Sequence, residues 1–97
     1  SLSYRLKELR AAHEGQVRVV ETDITATHPF AGEPLRSINA HLPAESIIVS
    51  IRRDKRLIIP HGDTVLQPGD HVVAIAGASQ GAELERALAG VQTQLSV

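Results

Sequence analysis

The spacing of apolar residues along this chain changes several times, and each change marks an element. Leu2, Leu6 and Leu9 recur at helical spacing with charges between them. Ser3 can cap that start and Gly15 can take a left-handed stop, so residues 2–12 read as a short lead-in helix. From Val17 the pattern becomes β-branched through Val19, Val20, Thr22, Ile24 and Thr25, with Arg18, Glu21 and Asp23 interleaved, which predicts a strand over 17–25. The stretch from His28-Pro29 to Pro34 is turn-rich. Pro34 suits the first turn of a helix, where its missing N–H costs nothing, and Leu35 and Ile38 would share one face of a short helix that Leu42-Pro43 ends.

Ser46–Arg52 is a near-continuous aliphatic strand carrying Ile47, Ile48, Val49 and Ile51, and Arg56–Pro60 is a second with Leu57, Ile58 and Ile59. Only Arg53-Asp54-Lys55 separates them, so they read as a hairpin in which Asp54 tolerates the left-handed conformation. Gly62-Asp63 and Pro68-Gly69-Asp70 bracket a short apolar strand, Thr64–Leu66, and Pro68-Gly69 fits the centre of a type II turn. A strand over 71–76 ends at Gly77. Ser79 then caps a last helix with Ala82, Leu84, Ala87, Leu88 and Val91 inward and a Glu83–Arg86 pair on the wet side. The expected fold class is α+β, a small and mostly antiparallel sheet with helices packed on one face. Residues 1–15 form a lead-in, 17–90 the domain, and 91–97 a frayed tail.

Composition narrows the function. Ninety-seven residues hold one core, and 42% hydrophobic with 22% charged is globular. Ten Lys+Arg against eleven Asp+Glu give a net charge of −1, which argues against nucleic acid as a partner, and apolar stretches far short of the roughly 20 residues of a membrane helix argue against direct membrane insertion. The absence of Cys removes disulfides and thiolate chemistry, and no Trp, one Phe and one Tyr leave little to stack bases on. Ser1 stands where Met would open a complete chain and no signal-peptide pattern follows, so the sequence reads as a piece excised from something longer.

Catalysis finds no support. Ser37, Ser46, Ser50 and Ser79 are scattered without a nucleophile elbow, and Gly77-Ala78-Ser79-Gln80-Gly81 lacks a phosphate-loop lysine. His13, His28, His41, His61 and His71 show no metal-ligand spacing, and His61 with Asp63 or Asp70 with His71 read more simply as loop and strand-edge residues. The expectation is no enzyme, no metal and no resident cofactor. The run Arg52-Arg53-Lys55-Arg56 reads as a solvated hairpin tip, with a neighbouring subunit's acidic surface or an anionic lipid face as the functional alternatives.

Three stretches carry a family pattern: His28-Pro29-Phe30-Ala31-Gly32-Glu33-Pro34-Leu35, then Leu42 to Arg53, then Leu57 to Val73 with Ile59-Pro60-His61-Gly62-Asp63-Thr64-Val65-Leu66-Gln67-Pro68-Gly69-Asp70 at its centre. In order and spacing they resemble the TrkA-C domain, also called the C-terminal RCK domain. That resemblance implies a cytoplasmic regulatory, ligand-sensing and dimerising domain attached to a membrane transport protein for potassium, another cation or chloride. A purely structural subunit-interaction module with no ligand is the alternative.

The resemblance also implies a ligand cleft between two copies. Its matching positions here are Asn39, His41, Ile47 and Ile48, and a two-fold interface would draw on Leu35, Ile38, Ile47, Val49 and Ile51. Family members that bind cyclic di-AMP carry an Arg and an Asn in this region. Here His41 and Ile47 stand in their place, and an Ile supplies none of the hydrogen bonds an adenine edge needs. A nucleotide-type effector fits the pattern; cyclic di-AMP itself fits it poorly.

Overall fold

The computed structural model describes residues 16–90. The lead-in helix expected over 2–12 and the tail 91–97 lie outside the described residues. In chain order the elements are β1 (Val17–Asp23), α1 (Leu35–Asn39), β2 (Ser46–Arg53), β3 (Arg56–Ile58), β4 (His71–Gly77) and α2 (Gly81–Leu88), the last entered through a 3-10 turn at Ala78–Gln80. The strands form one sheet in the order β1-β4-β2-β3, with every neighbouring pair antiparallel. This is the small α+β fold that the pattern predicted.

One face of the sheet makes the core. Val20, Ala74 and Ile48 lie in one cross-strand row, and Val72, Ile51 and Ile58 lie in the next. Leu35 and Ile38 of α1, Leu84 and Leu88 of α2, and Leu66 close over them. The other face carries Val19, Ile75 and Ile47 in one row and Asp23, His71, Arg52 and Leu57 in another. Strict alternation along β2 would put Ile48 and Ile51 on opposite faces. A bulge between Ile48 and Ser50 sets Val49 outside the register, and this phase shift brings both isoleucines to the core.

The turns follow their residues. Asp54 takes φ 56° at the hairpin tip, and Gly69 takes φ 95° while the Asp70 N–H donates to Gln67 O at 3.0 Å, as a type II turn requires. Some element bounds and caps differ from expectation. β1 stops at Asp23 because the next pairing is taken over by that turn: the Ile24 N–H donates to Asp70 O at 2.8 Å, and the Gly69 N–H donates to Ile24 O at 2.7 Å. β3 ends at Ile58, short of Pro60, which has no N–H to donate. Ser79 falls inside the 3-10 turn, and no side chain caps α2.

Residues 64–66 form an isolated bridge, Val65 to Pro34, where a strand was expected. Their backbone serves α1 instead. A five-residue helix does not hold itself together in water, and Pro34 offers no side-chain cap. The Leu35 N–H donates to Thr64 O at 2.8 Å and the Arg36 N–H to Gly62 O at 2.9 Å, so the loop's carbonyls satisfy the helix's first donors.

The basic run does not stay together at the hairpin tip. Lys55 and Arg56 are exposed, but Arg53 turns inward to Asp70, whose side chain is 0% exposed. Arg53 donates from Nε to Asp70 Oδ1 at 2.8 Å, and from Nη2 to Oδ2 at 2.9 Å and to Val65 O at 2.9 Å. The Gln67 N–H donates to Asp70 Oδ2 at 2.9 Å. Burial opposes the charge on Asp70, and the hydrogen bonds from Arg53 and Gln67 outweigh it, holding the carboxyl below its ordinary range.

Candidate functional site

Asn39 at the end of α1 and Ile47 and Ile48 at the start of β2 meet around a hollow of about 140 Å³. Leu35 forms its floor from α1, and Pro60, His61 and Gly62 close it from the capping loop. Sequence reasoning had gathered the first three residues and missed the loop, whose return over α1 depends on backbone hydrogen bonds that no side-chain pattern announces. His41 is not part of this hollow. The turn after α1, where the His41 N–H donates to Ile38 O at 2.9 Å, carries its ring to the other side of the helix.

There His41 borders a larger cavity of about 540 Å³ between α1, α2 and residues 29–33. Its ring stacks on Phe30 with centroids 6.3 Å apart and planes 27° apart. The wall is fastened by His28, whose Nδ1 accepts from the Phe30 N–H at 3.0 Å, which leaves Nε2 to donate to Leu88 O at 2.7 Å. Gly90 closes the corner at φ 78°; a Cβ there would lie 2.8 Å from Pro29 Cδ. The Glu83–Arg86 ion pair expected on the wet side of α2 does not form. Both residues line this cavity, and neither pairs among the described residues.

Of the five candidate interface residues, Leu35, Ile38 and Ile51 are at most 3% exposed in the single chain, and Ile47 is also buried. Their side chains belong to the chain's own packing. Val49, displaced by the bulge, is half-buried. Among the described residues, the large apolar side chains left exposed are Val19, Leu57, Ile59 and Val65, and the last three lie on the stretch that supplies Pro60, His61 and Gly62 to the smaller hollow.

The sheet face opposite the core carries a polar cluster at the end of β1 and the start of β4. His71 Nδ1 lies 2.8 Å from Asp23 Oδ1 and Nε2 lies 2.7 Å from Glu21 Oε1, so both ring nitrogens face carboxylates on β1. Those two hydrogen bonds, Asp23 first, raise the imidazole pKa, against burial and the charge of Arg52 on β2. A raised folded value means this support for the fold is complete below the unfolded His pKa of about 6.5 and is lost as pH rises through the folded value. The denaturation midpoint should therefore fall as pH climbs above neutrality, and His71→Gln should remove that segment of the profile. A parent profile flat across this range would contradict the clasp.

Among the described residues, no group of three or more His, Asp or Glu is placed to hold a metal ion, and no helix is long and apolar enough to cross a membrane. Ser46 Oγ donates to Pro43 O at 2.6 Å, a turn bond rather than an activated nucleophile.

An antiparallel β1-β4-β2-β3 sheet with both helices on one face is an RCK C-type fold. Several solved structures share it, among them two that are more than 25% identical to this chain. One is the RCK C domain of the potassium transport protein KtrA in complex with cyclic diadenosine monophosphate, at 26% identity and TM-score 0.57, over 89% of this chain and 98% of that one. The other is an RCK domain structure "with cda", at 28% identity and TM-score 0.55, over 72% and 96%. The Trk system potassium uptake protein TrkA of Mycobacterium tuberculosis is 34% identical over 84 residues, which is 87% of this chain but 36% of the TrkA protein. The TrkA-C domain family model matches residues 19–89, and the chain belongs to that family.

Proposed function

We propose that this chain is the effector-sensing and pairing domain of a potassium uptake system, acting on the cytoplasmic face of the membrane as part of a larger regulatory protein. The size of the hollow at Asn39, Ile47, Ile48, Pro60 and His61 carries this reading. About 140 Å³ is below the roughly 300 Å³ at which pockets begin to enclose a small molecule. Two copies facing one another would double it and build a cleft that neither has alone. A two-fold contact uses one patch twice, and exposed Leu57, Ile59 and Val65, on the stretch of chain that brings Pro60, His61 and Gly62 to the hollow, supply apolar surface for it. The interface then runs around Leu35, Ile38 and Ile51, with Val49 and the rim at Ile47 contributing. An effector held across such a cleft would bias transport by its differential affinity for two arrangements of the pair.

The potassium transport names of the relatives favour potassium over other ions, and the KtrA complex favours a nucleotide-type effector. Cyclic di-AMP itself should bind weakly, because Asn39 is the one amide side chain at the hollow and His41 faces away from it. The exposed apolar residues by themselves also suit a purely structural pairing module. Sedimentation at micromolar concentration together with calorimetric titration tests this reading. The expected result is a dimer giving weak or no heat with cyclic di-AMP. Tight binding of one ligand per two chains would overturn the judgement on Ile47 and His41, and a concentration-independent monomer would overturn the pairing.

A further inference from the structure

We propose that the larger cavity, between α1, α2 and residues 29–33, is a second ligand site, for a small zwitterion with a flat apolar body. It requires no second copy of the chain. Its volume of about 540 Å³ lies within the roughly 300–1,000 Å³ range of small-molecule sites. Its walls are fixed beforehand by His28 across to Leu88 and by Gly90 against Pro29.

The polar groups around it are unspent. Glu33, Glu83 and Arg86 make no ion pair among the described residues, although Glu83 and Arg86 stand one helical turn apart, where pairing comes easily. Two carboxylates set against one guanidinium call for a ligand with an ammonium for the first and a carboxylate for the second. The same balance disfavours a dianion, which separates this site by charge from the nucleotide-type effector proposed for the smaller hollow. The Phe30–His41 stack and the buried Ile38 beside it offer a flat apolar surface for a ring.

L-tryptophan is a suitable probe, because the chain contains no Trp and the indole emission reports the ligand alone. Titration with protein should shift that emission saturably, with Kd of about 0.1–1 mM for a ligand of this size. Tryptamine, without the carboxylate, and indole-3-propionate, without the ammonium, should each bind about tenfold more weakly. Arg86→Ala should weaken L-tryptophan and indole-3-propionate about tenfold and leave tryptamine unchanged, while Glu33→Gln combined with Glu83→Gln should do the reverse. Amide resonances of Phe30, Glu33, Ala87 and Gly90 should move on binding, and those of Ile47 and Gly62 should not. No saturable shift, equal binding of all three probes, or variants that fail to discriminate them would overturn the site.

Discussion

Asp70→Ala should destabilise the domain by about 3–5 kcal/mol, the range for removing one partner of a buried ion pair. The loss has two parts. Arg53 keeps its charge in a place that is 21% exposed, and the Gln67 N–H and two guanidinium donors lose their acceptor. Chemical denaturation at pH 7 measures it, with Asp63→Ala as the control. Asp63 pairs with Arg36 at the surface, where both side chains are mostly exposed and an ion pair contributes about 0–1 kcal/mol. A value for Asp70→Ala no larger than the control would show that the pair is dispensable. Acid should act along the same line. The Asp70 carboxyl is held below its ordinary range, so its contribution is present above the unfolded Asp pKa of about 3.9 and is lost as pH falls through the folded value. The parent should weaken through that acid window, and the Asp70→Ala variant should weaken less.

Ile51→Ala should destabilise the domain by about 2–5 kcal/mol, the range for truncating a buried isoleucine. Ile51 is 0% exposed, and it stands between Val72 and Ile58 in a row that crosses three strands. Against the 5–15 kcal/mol total typical of native proteins, that leaves little folded material. Deleting Val49 should be far milder. With the bulge residue gone, β2 alternates regularly and still sets Ile48 opposite Ala74, Ser50 opposite Val73 and Ile51 opposite Val72. Val49→Ala keeps the residue count and the bulge, and should cost no more than about 1.5 kcal/mol. Chemical denaturation and amide spectra of the three variants decide it: a large loss for Ile51→Ala and native dispersion for both changes at Val49. A collapsed deletion spectrum would mean that the bulge does more than set the register.

The bulge also shows where sequence reading stops. Ile47-Ile48-Val49-Ser50-Ile51 fits a strand at any phase, because aliphatic residues occur at both parities. Only the pairing of Ile48 with Ala74 and Ser50 with Val73 reveals the extra residue. Asp54 and Gly69 were legible because a turn is local chemistry: few residues accept positive φ, and each sits where its turn needs it. Arg53 and Asp70 were not. They are far apart in sequence, and each has a sufficient local reading, one as a charge at a hairpin tip and the other as the end of a Pro-Gly-Asp turn. The clue available was that Arg53 is the second charge in a row after a near-continuous aliphatic strand.

The smaller hollow divides in the same way. Asn39, Ile47 and Ile48 come together because α1 leads directly into β2, so proximity in sequence becomes proximity in space. Pro60, His61 and Gly62 arrive from across the fold on a loop whose backbone bonds leave no trace in residue type. His41 was assigned to the hollow by position, but one turn of chain beyond the helix was enough to send it to the opposite side. Glu83 and Arg86 had the spacing of a surface pair, and only the concavity between α1 and α2 shows that they line a cavity instead.

The loop from His61 to Thr64 supports α1 through the main-chain carbonyls of Gly62 and Thr64 and is itself drawn tight where the Thr64 Oγ accepts the His61 N–H at 3.0 Å. The imidazole of His61 takes no part in any of these bonds. If the hollow binds as proposed, scaffolding and selectivity sit on different atoms of the same few residues. The exposed histidine at position 61 can be exchanged for another side chain, and so can the exposed amide at 39, without removing the backbone bonds that hold the helix. On that reading, descendants of this domain could change what they sense at positions 39 and 61 one residue at a time and keep the helix in place.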